Sequence, residues 1–187
     1  MTVIQNQFMK KNKTKNYYWK DLDIIPDLSA VAREMTDKSQ VQIVFYKISK
    51  LPISKIILFT LNNILYTFDI FNKDFACGIK ILTELELLSQ KKRKKIYFFN
   101  SQIVDTAVAF KNKKLINNLI KLSEIYHFYP VFITYNLKNF LFFCENSGIN
   151  IRSKGIAFPS INSISVSEEK KLIEYSGTVA YRIENCI

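Results

Sequence analysis

The side chains that could do chemistry are few and uneven in kind. Sixteen acids stand against twenty-seven Lys and Arg. The best-placed acids are Glu84 and Glu86, in Thr83-Glu84-Leu85-Glu86-Leu87-Leu88. Two positions apart on a helix they point to different faces, so they do not form an obvious acid–base pair. Asp69, Asp74 and Asp105 could join Glu84 around a cation, but their spacing singles none of them out. His127 lies between Tyr126 and Phe128 at an expected helix end, where packing or capping outweighs catalysis. Cys77, Cys144 and Cys186 are far apart, and one histidine cannot complete a zinc set of usual spacing. They read as buried thiols of a reducing compartment, a cytoplasm or an organelle stroma. With four glycines there is no phosphate-cradling Gly-rich motif.

Cations are plentiful. The net charge is +11, and Lys91-Lys92-Arg93-Lys94-Lys95 places five cations in succession. Such a run suits RNA through counterion release. It also suits the last turn of a helix, where cations meet the exposed carbonyls. The excess of Lys over Arg and the abundance of Asn and Ile weaken the first account, since compositional bias yields the same pattern. Trp19 with Tyr17, Tyr18, Lys15 and Lys20 could stack bases, or anchor the basic arm 1–20 on the core. The first twenty residues show no apolar core of a secretory signal, and no apolar run is long enough to span a bilayer.

The elements that must position these groups alternate. After the arm, 21–54 reads as a helix–strand extension: a short helix capped by Asp27 after Pro26, then a strand from Val41 to Ile48. In 55–150, strands are expected at Ile56–Phe59, Ile79–Leu82, Ile96–Phe99, Pro130–Thr134 and Ile149–Ile151. Helices are expected over Leu61–Phe68, from Thr83, after Ser101, around Leu115–Tyr126, and from Leu137 to Glu145 with Gly148 as its stop. The segment 151–187 reads as a C-terminal extension packing on the core: a strand near 161–166, a helix over 168–175 and a strand over 178–183. This alternation predicts an α/β domain with a mainly parallel central sheet flanked by helices.

Four segments in order are Thr60-Leu61-Asn62-Asn63-Ile64-Leu65-Tyr66, Ile81-Leu82-Thr83-Glu84-Leu85-Glu86-Leu87-Leu88-Ser89, Leu115-Ile116-Asn117-Asn118-Leu119-Ile120 and Ile133-Thr134-Tyr135-Asn136-Leu137-Lys138-Asn139-Phe140. Segment 55–150 thereby resembles PIN domains, in particular VapC-type toxins. The resemblance implies a PIN-like α/β core whose acids hold Mg²⁺ or Mn²⁺ for RNA hydrolysis. Carried over by position, it puts the family's acids at Thr60, Glu84, Asn117 (or Asn118) and Asn139. Only Glu84 is still a carboxylate, a loss of three negative charges around the ion. The stretches between segments are also shorter than in the family.

Taken together, these features lead us to expect a degenerate PIN-like protein that binds RNA or a protein partner, without a bound metal and without efficient hydrolysis. Lys91, Lys92, Arg93, Lys94 and Lys95 are the expected RNA contacts. Two alternatives stay open. One is an active Mg²⁺-dependent ribonuclease with relocated acids. The other is a structural or assembly protein, including a homodimer, on an unrelated α/β fold.

Overall fold

The computed structural model describes residues 15–29, 33, 40–63, 74–159, 174 and 177–184. Its centre is a six-stranded, all-parallel sheet: β1 (Lys15–Tyr18), β2 (Ile24–Ile25), β3 (Ile96–Phe99), β4 (Tyr129–Ile133), β5 (Gly155–Pro159) and β6 (Val179–Glu184). The order across the sheet is β1-β6-β5-β4-β3-β2. The expected α/β class with a parallel central sheet is what the chain forms. The helices are α1 (Gln40–Ser49), α2 (Ile53–Asn63), α3 (Phe75–Ser89), α4 (Ser101–Ala109), α5 (Lys113–Ile125) and α6 (Leu137–Asn146). Strands β3 to β6 follow one another across the sheet, as successive parallel crossovers of one hand require.

Residues alternate between two cores. Tyr97, Phe99, Phe132, Ile156, Phe158 and Ala180 face the helices with Leu85, Leu88, Leu115 and Leu119. Phe98, Val131, Ile133, Ala157, Tyr181 and Ile183 face the other way, with Tyr17, Trp19 and Leu22 packed against them. The central strands β3, β4 and β5 are thus apolar on both sides, which is why they read as continuous apolar runs.

Four expected strands are corrected. Val41–Ile48 lies within α1, Ile56–Phe59 within α2, Ile79–Leu82 within α3, and Ile149–Ile151 is irregular chain before β5. For α3 the reason is burial. Ten of its fifteen residues are buried, so the polar stripe that marks a surface helix is missing and the run Ile79–Leu82 imitates a strand. Asp74, not Thr83, opens that helix: its carboxylate accepts the Cys77 N–H at 3.2 Å. For α2, the Pro52 carbonyl accepts from Lys55 and Ile56, starting the helix despite its β-branched residues. The terminal segments expected as an arm and extensions supply β1, β2, β5 and β6 to the same sheet. Residues 1–14 of the arm, the expected helix beyond Asn63, and the elements expected over 161–175 apart from Glu174 lie outside the described residues.

Gly155 decides how β4, β5 and β6 fit on the second face. A Cβ there would sit 2.7 Å from Val131 Cγ2, 2.8 Å from Tyr181 Cε2 and 3.1 Å from Tyr129 Cε1. The missing side chain lets the Tyr129 and Tyr181 rings close over the strand. Their hydroxyls are buried and coupled to each other. Burial raises both phenols, Tyr181 to about 12.

Two outcomes follow. Gly155→Ala lowers unfolding free energy by about 1–3 kcal/mol, the usual cost of overpacking, read by urea denaturation. The phenols, raised in the fold, stay protonated while the unfolded chain ionises from about pH 10. Their contribution is complete below that pH and is lost as pH rises toward 12 and beyond. Tyr181→Phe therefore flattens the fall in melting temperature across pH 10–12.

Candidate functional site

The one expected metal-binding acid that remains, Glu84, is fully buried in the middle of α3. Its Oε1 accepts from the Tyr126 hydroxyl at 2.5 Å and from Asn62 Nδ2 at 3.2 Å. Its Oε2 accepts from Asn63 Nδ2 at 2.8 Å and faces Lys80 Nζ at 3.8 Å. Lys80, one turn earlier, is 2% exposed and also donates to Asn63 Oδ1 at 2.8 Å. Asn63 in turn donates to the Phe59 carbonyl at 2.8 Å. Three hydrogen bonds hold the carboxylate, and the Lys80 ammonium faces it at ion-pair rather than hydrogen-bond distance. The positive charge that a metal ion would supply is already supplied by that ammonium. Burial lowers the Lys80 pKa, with the nearby Glu84 charge opposing it. Burial, then the hydrogen bond to Glu84, raises that of Tyr126. Glu84 is therefore the centre of a polar core joining α2, α3 and the end of α5.

The other three expected positions lie elsewhere. The exposed Thr60 hydroxyl donates back to the Ile56 carbonyl on α2. Asn117 is half-buried on α5, and its neighbour Asn118 donates to the Ala76 carbonyl at 3.3 Å. Asn139 is exposed on the first turn of α6, its N–H held by Asn136, which caps that helix. Glu84 meets Tyr126 just before β4, whereas Asn139 follows the end of β4. The first two segments do touch, through Asn62 and Asn63, which reach Glu84; Asn118 of the third reaches α3 at Ala76, outside the second segment. Among the described residues, no group of three or more His, Cys, Asp or Glu is arranged to hold a metal ion.

Of the acids weighed as replacements, Asp69 lies outside the described residues. Asp74 caps α3 and pairs with Lys114 at 2.6 Å; that hydrogen bond holds its carboxyl below the usual range. It precedes Glu84 by ten helical positions, about 15 Å along the axis. Glu86 accepts the Asp27 N–H at 2.9 Å on another face of α3. Asp105 binds the Thr134 hydroxyl at 2.6 Å and the Tyr135 N–H at 3.2 Å. His127 lies in the left-handed region at φ 55°, a turn residue between α5 and β4.

The basic run forms the loop between α3 and β3, and all five side chains are exposed. Its backbone is pinned: the Lys94 N–H donates to the Tyr97 hydroxyl at 3.0 Å, and the Lys95 carbonyl accepts from Tyr129 at 2.8 Å. The Tyr97 hydroxyl also donates to Gln90 Oε1. Arg93 covers the Tyr126 ring at 4.9 Å, and Lys94 pairs with the exposed Asp23 at 3.2 Å. Lys91, Lys92 and Lys95 make no ion pair among the described residues. The helix-capping account of this run is replaced by Lys55, whose ammonium takes the Leu88 and Gln90 carbonyls at the end of α3.

Sequence reasoning missed two features: the Asp105–Thr134 contact and the Asn62–Asn63–Tyr126 shell around Glu84. Both join residues 21 to 64 positions apart, so no local spacing announces them. No protein-family model matches the chain, and neither curated proteins nor solved structures give a match.

The buried pair carries its own test. Glu84→Ala removes the carboxylate that faces the buried Lys80 ammonium, which costs about 3–5 kcal/mol in denaturant unfolding. Lys80→Met in that background recovers part of the loss, so the double variant is more stable than the sum of the two single losses.

Proposed function

We propose that this chain is an RNA-binding α/β protein of PIN-like ancestry that does not cleave RNA at the four expected positions. The observation that carries the reading is the loop Lys91–Lys95: five exposed cations on a backbone fixed by Tyr97 and Tyr129. A fixed loop presents its charges together, so less side-chain and loop ordering opposes binding. The chain's net charge of +11 adds long-range attraction. The PIN-like ancestry is supported by the order of the four segments, the contact between the first two, and the parallel sheet. The loss of cleavage is supported by the neutral residues at Thr60, Asn117 and Asn139 and by the burial of Glu84 among three hydrogen-bond donors and the Lys80 ammonium.

An active ribonuclease with relocated acids finds no such support, since Asp74, Glu86 and Asp105 are each bound to different partners. A second copy of this chain as partner is the second reading. It rests on the exposed Phe45 of α1 and Ile53, Ile57 and Leu61 of α2, each more than half exposed. A strict monomer by light scattering ends that reading. None of the described helices is long and apolar enough to cross a membrane. A cytoplasmic or stromal setting fits the buried free thiols Cys77 and Cys144.

The test is anisotropy of a labelled single-stranded RNA at about 50 to 200 mM salt. Binding weakens steeply with salt, and the variant Lys91→Ala/Lys92→Ala/Lys95→Ala lowers the slope of log affinity against log salt by about 2, near 0.7 for each lost phosphate contact. The RNA stays intact with Mg²⁺ or Mn²⁺ present. Affinity that ignores salt, or a triple variant that binds like the parent, overturns the reading.

A further inference from the structure

Beyond the carboxyl ends of β3 and β4 lies a second polar centre, separate from the basic loop. Outside these strand ends is where parallel sheets usually hold ligands. An open cleft of about 370 Å³ runs here along α4, from Ser101 to Phe110, beside the turn after β4. That is near the lower end of small-molecule clefts. Its lining includes Ser101, Gln102, Asp105, Phe110 and Tyr135. Two large aromatic rings border it while facing water: Phe110 is 80% exposed and Tyr135 56%. Trp19 stacks on Tyr135, with ring centroids 6.5 Å apart and planes 22° from parallel.

Asp105 is the polar group of this cleft, and it is aimed. Thr134, fully buried, donates its hydroxyl to one carboxylate oxygen at 2.6 Å, and the Tyr135 N–H donates to the other at 3.2 Å. Thr134 is fixed in turn by the Asn136 N–H at 3.0 Å. One bond on each oxygen leaves each with a further lone pair. No cation lines the cleft among the described residues. The lining therefore disfavours a phosphate and favours a flat, neutral group with N–H donors.

We propose that this cleft binds a nucleobase, and that Asp105 selects guanine. Guanine presents two adjacent coplanar donors, its ring N1–H and its exocyclic amine, which match the two oxygens of one carboxylate. Adenine and cytosine present a ring nitrogen acceptor beside their amine, and uracil flanks its N–H with two carbonyls. Each of these sets a lone pair against the carboxylate. Tyr135 and Phe110 supply the stacking surfaces, and Ser101 and Gln102 offer hydrogen bonds to the rim of the ligand. This site goes beyond the loop reading and stands without it, since it needs no phosphate contact.

The chain has one tryptophan, and it stacks on Tyr135, so Trp19 emission reports on the cleft. Guanosine, adenosine, cytidine and uridine, which carry no phosphate, are titrated into the full chain at about 150 mM salt. Saturation-transfer NMR on the nucleosides gives a reading independent of Trp19. Guanosine binds, the other three at least about tenfold more weakly, and Asp105→Asn removes about tenfold of the guanosine affinity. Because Asp105 also holds the turn at Thr134, Phe110→Ala is the companion: its ring is exposed, the fold stays intact, and guanosine binding weakens severalfold. The triple lysine variant leaves nucleoside binding unchanged, so the failure of either proposal is distinct from the failure of the other. No saturation transfer to guanosine at millimolar concentration, equal binding of all four nucleosides, or unchanged binding in Phe110→Ala overturns the proposal.

Discussion

The fold turns on a carboxylate that water never reaches. An ionised Glu84 at zero exposure would not persist without full compensation, because desolvating a charge costs several kcal/mol even after relaxation. Lys80 balances the charge, and Asn62, Asn63 and Tyr126 complete the hydrogen bonds. These partners sit on α2, α3 and the end of α5, so the three elements cannot shift without exposing an unpaired group. Apolar packing alone is tolerant of small slips; a buried carboxylate held by three hydrogen bonds and an ammonium is not. The network thus sets the register of the helix layer, and the helix layer sets where α3 ends. That end fixes the start of the basic loop, whose Arg93 closes over Tyr126 on the same cluster.

The middle of the chain was legible because its signals agree. Ile96–Phe99 and Tyr129–Ile133 are short apolar runs bounded by polar residues, and Asn100, Asn112 and Asn136 each cap the helix that follows. In α5 the apolar positions recur at helical spacing with Lys and Asn between them. The N-terminal half was misread because its signals conflict. Ile56–Phe59 and Ile79–Leu82 are rich in β-branched or aromatic residues, yet both are helical. In α3 burial on most sides removes the polar face that would have shown the period. Short apolar runs of this kind do not separate strand from helix, and tertiary packing decides.

The site was legible in residue type but not in role. Glu84 stood out as the one acid in a row of neutral replacements, and it is special, though as a structural anion. The residues of the first segment that reach it are Asn62 and Asn63, not Thr60. Asn as donor is what the buried site needs: an Asp at position 63 would place a second negative charge beside Glu84, with one Lys80 to serve both. Asn62 and Asn63 therefore have a physical reason to be neutral that owes nothing to lost catalysis. Thr60, Asn117 and Asn139, the positions the resemblance assigns to acids, take no part in that core.

The two proposed surfaces differ in how the protein holds them, and that difference constrains what each can recognise. The basic loop is fixed through its backbone while its lysine side chains stay in water, so it can follow a phosphate chain without reading it. Asp105 is fixed through its own side chain by a buried hydroxyl and a backbone N–H, which sets the direction of its lone pairs. Direction is what base selection requires, since donor and acceptor patterns are distinguished only by a group that cannot rotate to suit each. Charge without direction beside the entry to β3, and direction without cations beyond the exit of β4, divide affinity and selectivity between opposite ends of the same strands.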